Sequence, residues 1–155
     1  AAARALAMAA KLPIAGYTTL EIVARSPQGQ AAPHPRLVVL DAKRSDFYFQ
    51  LFLPDGAALS EPATAKPAAI AAALASQGPM TICGDGANAV YEELKACGVQ
   101  IQRSTGPDAP DAAVLAQIAH GDIDGDIDGD INFEFASRPP EPVYLRPPDA
   151  ALPRR

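Results

Sequence analysis

LVVLDAKRSDFYFQLFLPDG, residues 37–56, is the stretch of sequence that decides the fold. Its apolar run at 37–40 is typical of a strand buried on both faces. Apolar residues then alternate with others over 45–53, which predicts a second strand with one apolar face. The Pro-Asp-Gly sequence at 54–56 favours a turn, because Pro presets φ and Gly accepts a positive φ. The apolar face of the second strand comprises Phe47, Phe49, Leu51 and Leu53.

Downstream of this hairpin, extended and helical patterns alternate. A short third strand is predicted over 57–60. A helix follows between Pro67 and Gly78, because Pro favours a first helical turn and Gly the position after the last turn. Asp108 is predicted to cap a final helix that ends at 120. The elements in between are a strand at 80–83, a helix between Gly86 and Gly98, and a strand at 99–102.

This succession is strand, strand, strand, helix, strand, helix, strand, helix. It is the layout of one lobe of the ribonuclease-H-like, actin-like (ASKHA) class. We therefore predict an α/β fold over residues 36–120, with a mixed β-sheet flanked by helices. A fold of this kind does not fix a function.

The chain begins with a segment that is expected to be the remnant of a preceding lobe. Residues 1–11 are rich in good helix formers. Thr18 and Glu21 have the spacing of a capping box, which predicts a second helix ending near Arg25. The predicted organisation is a first-lobe remnant at 1–25, a second lobe at 36–120, an acidic insert at 121–135 and an extended Pro/Arg-rich tail at 136–155.

The composition and charge of the chain limit the classes of function that it can have. The 155 residues carry a formal net charge of −5 and are 48% hydrophobic, which fits a globular domain with a core. An acidic balance argues against a stand-alone nucleic-acid binder, which needs a basic face. The five Asp of the GDID repeat at 121–132 account for this charge by themselves. Two isolated Cys and the lack of a long apolar run predict a reduced, cytoplasmic protein with no membrane span.

Four strings of the sequence resemble the TsaB family, which is also called YeaZ, and they occur in the family's order. The resemblance implies a non-catalytic subunit that pairs with a TsaD-type catalytic subunit to make N6-threonylcarbamoyladenosine in tRNA. It further implies a possible ATPase subunit in the same complex, a homodimer, no cofactor and at most indirect contact with tRNA. The strings are LAMAAKLPIAGYTTLEIVA (6–24), LVVLDAKRSDFYFQLF (37–52), TICGDGA (81–87) and PVYLRPPDA (142–150).

The resemblance also assigns positions. The family's N-terminal strand and its GPGSfTGlR loop would precede Ala1, so the chain is expected to be truncated at its N-terminus. Its first helix corresponds to a helix that packs against TsaD or a second copy, and the interface residues implied are Arg4, Ala5, Met8 and Lys11. The family-motif positions are Asp41, Lys43, Arg44, Tyr48, Gly84, Asp85, Gly86, Tyr144, Leu145 and Arg146.

Nucleotide-binding members of this fold class carry a D-x-G phosphate loop after the first strand. This chain has Asp41-Ala-Lys-Arg44 instead, so we expect Asp41 to pair with Lys43 or Arg44 and to fix the hairpin. The Gly-Asp-Gly sequence at 84–86 fits an adenosine-contacting turn or an ordinary tight turn into a helix. With the other lobe's phosphate loop absent, no ATP binding is expected.

Two alternatives to the scaffold hypothesis stay open. The first is an ASKHA-fold enzyme, M22 peptidase-like or kinase-like, whose active-site half is missing here. His34 and His120 are too far apart in sequence to form the paired metal ligands of catalytic relatives, and Cys83 is predicted to be a small buried apolar residue.

The second alternative is a calcium-binding module. The GDID repeat can be aligned with an EF-hand loop, with Asp124, Asp126 and Asp128 at its first, third and fifth positions. The bidentate acid of the twelfth position is missing, because Phe135 stands there. The other interpretation of the repeat is a low-complexity expansion in a solvent-exposed loop.

Overall fold

The computed structural model describes residues 2–12, 14–27, 33–124 and 140–145. These residues form helices and strands in the predicted alternation. In chain order they are α1 (Ala2–Ala10), α2 (Thr19–Arg25), β1 (Arg36–Asp41), β2 (Phe47–Phe52), β3 (Ala63–Ala65), α3 (Pro67–Leu74), β4 (Met80–Cys83), α4 (Ala87–Ala96), β5 (Ile101–Arg103) and α5 (Ala112–Asp124).

The strands form one mixed sheet in the order β3-β2-β1-β4-β5. β1 pairs antiparallel with β2, with Val39 opposite Phe49, and parallel with β4, with Leu37 opposite Ile82. β2 pairs antiparallel with β3, and β4 pairs parallel with β5. A mixed sheet flanked by helices confirms the predicted fold class.

β1 is buried on both faces, as its continuous apolar run predicts. Leu37 and Val39 point to the face covered by α3 and α4, where Ile70, Val90 and Leu94 belong to the same core cluster. Successive side chains of a strand alternate between faces, so Val38 and Leu40 point the other way. There they pack with a second cluster that includes Leu20, Val23 and Phe52. The sheet therefore has α3 and α4 on one face and α2 on the other.

α2 is fixed at both ends by hydrogen bonds. The Thr18 N–H donates to Glu21 Oε2 at 2.8 Å, and the Glu21 N–H donates to Thr18 Oγ1 at 3.1 Å, which confirms the predicted capping box. At its C-terminal end the buried guanidinium of Arg36 donates to the carbonyl oxygen of Ala24. This contact holds α2 against the start of β1.

The connection between β2 and β3 differs from the prediction of a strand at 57–60. Only an isolated bridge from Ala58 to Phe52 forms there, and β3 lies further along the chain. No further strand pairing forms at 57–60 because the Leu51 N–H donates to Ser60 Oγ at 3.0 Å and not to a strand carbonyl. Leu53 lies beyond the end of β2 and is exposed, so its predicted place on the apolar face was wrong.

The last helix also differs from its prediction. Asp111, not Asp108, binds the free amide at its start, since the Ala113 N–H donates to Asp111 Oδ1 at 2.8 Å. The helix passes through Gly121 and ends at Asp124. Its predicted end at 120 was wrong because one Gly weakens a helix by only about 1 kcal/mol relative to Ala.

Candidate functional site

α1 is exposed except at Ala7, which is half-buried, and it carries the predicted interface residues Arg4, Ala5 and Met8. No residue of the helix is buried. Leu6 is 71% exposed and Met8 is 81% exposed. Leu6 and Met8 are two positions apart and therefore lie on different sides of the helix, whereas Met8 shares its side with Arg4 and Ala5. An apolar helix face without intramolecular packing is a typical docking surface.

Lys11, the fourth predicted interface residue, comes directly after the last residue of α1. It follows the helix in the left-handed conformation, with φ 51°. Its N–H donates to the Met8 carbonyl at 3.3 Å, and the Leu12 N–H donates to the Ala7 carbonyl at 2.9 Å. These are the two bonds of a Schellman motif, which is usually completed by Gly at the position of Lys11. Lys11 therefore terminates α1.

Residues 140–145 form an extended segment, here named the strap, that lies beside α1. Arg4 Nη2 donates to the carbonyl oxygen of Pro140 at 3.2 Å, which joins the strap to the helix. Tyr144 is 85% exposed, whereas Leu145 is half-buried. Arg146 lies outside the described residues. The strap thus places one predicted motif residue in solvent and the next against the body of the protein.

A cavity of about 540 Å³ separates the strap from the body of the protein. Tyr48 lines it from β2, Pro62 from the loop before β3, and residues 16–20 from the start of α2. Its lining residues include one charged side chain, that of Glu141. The other strap residues that line it are Pro140, Pro142, Val143 and Leu145.

The turn after β1 contains the predicted pairing of Asp41 with Lys43. The Lys43 N–H donates to Asp41 Oδ1 at 2.6 Å, and Lys43 Nζ lies 3.4 Å from Asp41 Oδ2. Lys43 Nζ also lies 3.8 Å from Asp85 Oδ2, and Asp85 Oδ1 accepts the Asp41 N–H at 2.8 Å. Lys43 has φ 57°, a conformation that favours Gly. Its single cation lies between two carboxylates, so the three groups keep a net negative charge, and the neighbouring Arg44 is exposed.

The Gly-Asp-Gly turn is required by close packing against β1. Gly84 has φ 100°, and a Cβ built on it would lie 2.1 Å from the carbonyl oxygen of Val39. A Cβ on Gly86 would lie 2.5 Å from Cδ1 of Phe47. The Gly86 N–H donates to the Val39 carbonyl at 3.1 Å. These contacts explain both glycines as a tight turn packed on its neighbouring strand.

Asp108, the predicted helix cap, has a different role. Its Oδ1 accepts the Gly84 N–H at 3.0 Å, and its Oδ2 accepts a hydrogen bond from Arg103 Nη2. Arg103 also donates to Asn88 Oδ1 at 3.2 Å and to the Ile82 carbonyl at 3.2 Å. This clamp, Arg103 with Asp108, ties the turn after β4 to the end of β5. Sequence analysis missed the clamp because nothing local indicates a contact between positions 24 residues apart.

Replacing Asp108 by Ala is expected to lower the free energy of unfolding by about 1–2 kcal/mol, because it leaves the Gly84 N–H without an acceptor and removes the charged partner of Arg103 Nη2. The side chains are partly exposed, so water offsets part of the loss. Urea denaturation followed by circular dichroism measures the difference. Glu92→Ala, at an exposed site on α4, is the control and is expected to have no effect. Equal midpoints for the two variants would contradict the role of the clamp.

Cys83 is fully buried, as predicted, and burial raises its pKa to about 12. The thiol therefore stays protonated near neutral pH and is a poor nucleophile. Within residues 2–12, 14–27, 33–124 and 140–145, no three His, Cys, Asp or Glu side chains are placed to hold a metal ion. Of the calcium candidates, Asp124 is the last residue of α5, and Asp126 and Asp128 lie outside the described residues.

The helices were also compared with the length of a membrane span. In the described part of the chain, none is both long enough and apolar enough to cross a bilayer.

Comparison with known proteins supports the fold. No protein-family model matches the sequence, and no curated protein matches it. Among solved structures, it is similar to the crystal structure of an uncharacterized protein with similarity to the peptidase YeaZ, from Pseudomonas aeruginosa. The TM-score is 0.57 at 22% sequence identity, over 92% of this chain and 63% of that chain. The chain thus spans less than two thirds of that protein's length, and at this identity the likeness shows a YeaZ-like fold.

Proposed function

We propose that this chain is a non-catalytic, cytoplasmic scaffold subunit of the TsaB type. It would support N6-threonylcarbamoyladenosine synthesis in tRNA by pairing with a TsaD-type catalytic subunit, alone or together with an ATPase subunit. The YeaZ-like fold and the family-like strings of the sequence support this proposal. The same surface would hold two copies together when the partner is absent.

The observation that carries the proposal is the exposure of α1. An isolated helix of nine residues is marginal in water, so its stability normally comes from packing of an apolar face. Here Leu6 and Met8 face solvent instead. A partner helix that packs against the side formed by Ala5 and Met8 would bury that side, with Arg4 at its rim.

The chemistry of the described residues agrees with a scaffold. The Cys83 thiol is buried and protonated, which disfavours a cysteine-peptidase role. The turn at Asp41 directs the Lys43 ammonium at two carboxylates, Asp41 and Asp85, so a phosphate would meet negative charge there. Neither site favours the peptidase-like or the kinase-like alternative.

Pairing can be tested with the TsaD-type subunit encoded in the same genome. Met8→Arg is expected to weaken its binding by about 30-fold or more, because it places a charge at the centre of the apolar surface. Leu59→Arg is the matched control, since Leu59 is an exposed apolar residue on the connection after β2. Isothermal titration calorimetry of the three chains gives the dissociation constants.

The proposal makes a second, functional claim. A reconstituted system that contains the catalytic subunit and tRNA should form the modified nucleoside only when this chain is added, and the Met8→Arg variant should not support it. Mass spectrometry of digested tRNA measures the product. Modification that does not depend on the chain, or equal binding by Met8→Arg and Leu59→Arg, would contradict the proposal.

A further inference from the structure

The cavity beneath the strap is lined by aromatic and proline rings. Tyr17 lines it from the segment before α2, and Tyr48 lines it from β2. Tyr48 lies opposite Leu40 and Thr64 in the sheet and packs against the second core cluster, so its position is fixed by packing. The prolines come from the strap and from the loop before β3. The cavity therefore has two aromatic rings in its walls, and the sheet holds one of them in place.

The charge that lines the cavity is negative. Among the residues that the structure describes, Glu141 is the one charged residue of the lining, and its carboxylate has no hydrogen bond or ion pair there. The N–H and the hydroxyl of Thr18, by contrast, are both bonded to Glu21. Arg4, which donates to the Pro140 carbonyl, does not line the cavity. An anionic ligand would be repelled, whereas a cation is attracted by the carboxylate and by tyrosine rings.

We propose that the cavity binds a small organic cation of the quaternary ammonium class that carries no anionic group. Such a cation has apolar methyl groups and no N–H, so rings, apolar contacts and one carboxylate bind it without hydrogen bonds to its nitrogen. Tyr17, Tyr48 and Glu141 supply the rings and the carboxylate, and Pro140 and Val143 supply apolar contacts. The volume of about 540 Å³ is in the range of small-molecule sites. Binding of the cation does not depend on the proposed pairing, because the described lining residues all lie outside α1.

The site is tested with choline, a quaternary ammonium alcohol, added to the full chain labelled with nitrogen-15. The amide signals of Thr19, Leu20 and Tyr48 are expected to shift and to saturate with a millimolar dissociation constant, whereas those of α4, on the other face of the sheet, stay unchanged. The uncharged alcohol in which carbon replaces the choline nitrogen is expected to bind about five-fold more weakly or less, because it keeps the shape and loses the charge. Phosphocholine is also expected to bind more weakly than choline, because Glu141 repels its phosphate.

Substitutions separate the carboxylate from the ring. Glu141→Gln and Tyr48→Leu are each expected to weaken choline binding by about five-fold or more, because each removes one attraction for the cation. Tyr48→Phe keeps the ring and is expected to bind choline as the wild type does. Glu92→Gln changes an exposed carboxylate on α4 and is the matched control, which should leave binding unchanged. If Tyr48→Leu does not fold, Glu141→Gln decides the test, because it changes an exposed residue of the strap.

Four results would overturn the proposal. Without saturable shifts, the cavity does not bind the cation. Equal binding of choline and its uncharged analogue would mean that shape alone is recognised. Phosphocholine that binds as tightly as choline would mean that Glu141 does not select charge. If Glu141→Gln binds choline as well as Glu92→Gln does, the cation is bound elsewhere.

Discussion

Replacing Gly84 by alanine is expected to cost about 4 kcal/mol or more of folding free energy, enough to unfold many domains. A Cβ at this position would lie 2.1 Å from the carbonyl oxygen of Val39. Val39 belongs to β1, the central strand, which cannot move aside without breaking pairs with both of its neighbours. The positive φ of Gly84 adds backbone strain for any residue with a side chain.

Two matched glycine variants make the test selective. In Gly86→Ala the new Cβ would contact Cδ1 of Phe47, a side-chain atom on a half-buried ring. A smaller loss of folding free energy is expected, because the ring can shift. Gly78→Ala meets nothing within 4 Å and is expected to be neutral. Thermal unfolding followed by circular dichroism should rank the losses Gly84 above Gly86 above Gly78. A folded Gly84→Ala protein with the melting temperature of Gly78→Ala would contradict the packing described for this turn.

Alkaline pH is expected to destabilise the fold through Cys83. Burial, the main cause, raises its pKa from 9.0 to about 12. Above pH 9 the unfolded chain loses this proton first, so the unfolded state binds fewer protons than the folded state. Stability from this group is intact below pH 9 and falls by about 1.4 kcal/mol per pH unit as the pH rises towards the folded pKa.

The contribution of Cys83 can be separated from that of other groups by substitution. The free energy of unfolding is measured by urea denaturation at several pH values between 8 and 11 for the wild type and for Cys83→Ala. The wild type should lose stability more steeply, with a difference of about 2 kcal/mol accumulated by about pH 10.5. Cys97→Ala, at an exposed thiol, should keep the wild-type slope. Parallel slopes for wild type and Cys83→Ala would show that the buried thiol does not control alkaline stability.

Much of the fold follows from local sequence patterns. The run 37–40 predicts a doubly buried strand, and Val38 and Val39 are indeed buried on opposite faces. The capping box of α2 was predicted from two residues, because its bonds join positions three apart. The helices α3 and α4 also lie between the Pro and Gly residues that predicted their boundaries.

The candidate site was less predictable. Lys11 and Lys43 both adopt left-handed backbone conformations that Gly would favour, and nothing in a Lys side chain signals this. Asp108 is of a residue type that often caps helices, but its carboxylate accepts the N–H of Gly84, in a turn in another part of the chain. The place of β3 depended on the Ser60 hydroxyl, which accepts the hydrogen bond of the Leu51 N–H in place of a strand carbonyl. The last two outcomes depend on hydrogen bonds between groups that are distant in sequence, which local patterns do not reveal.

The sequence by itself determined most of the elements, most of their apolar faces and the Asp41–Lys43 turn, because periodicity, capping and turn chemistry act between near neighbours. Only the tertiary structure decided that Gly84 lies against the Val39 carbonyl, that Asp108 holds that turn, and that the strap encloses a cavity beside Tyr48. It also left Leu6 and Met8 in solvent. These facts depend on the relative placement of distant segments, which is fixed by packing of the whole sheet.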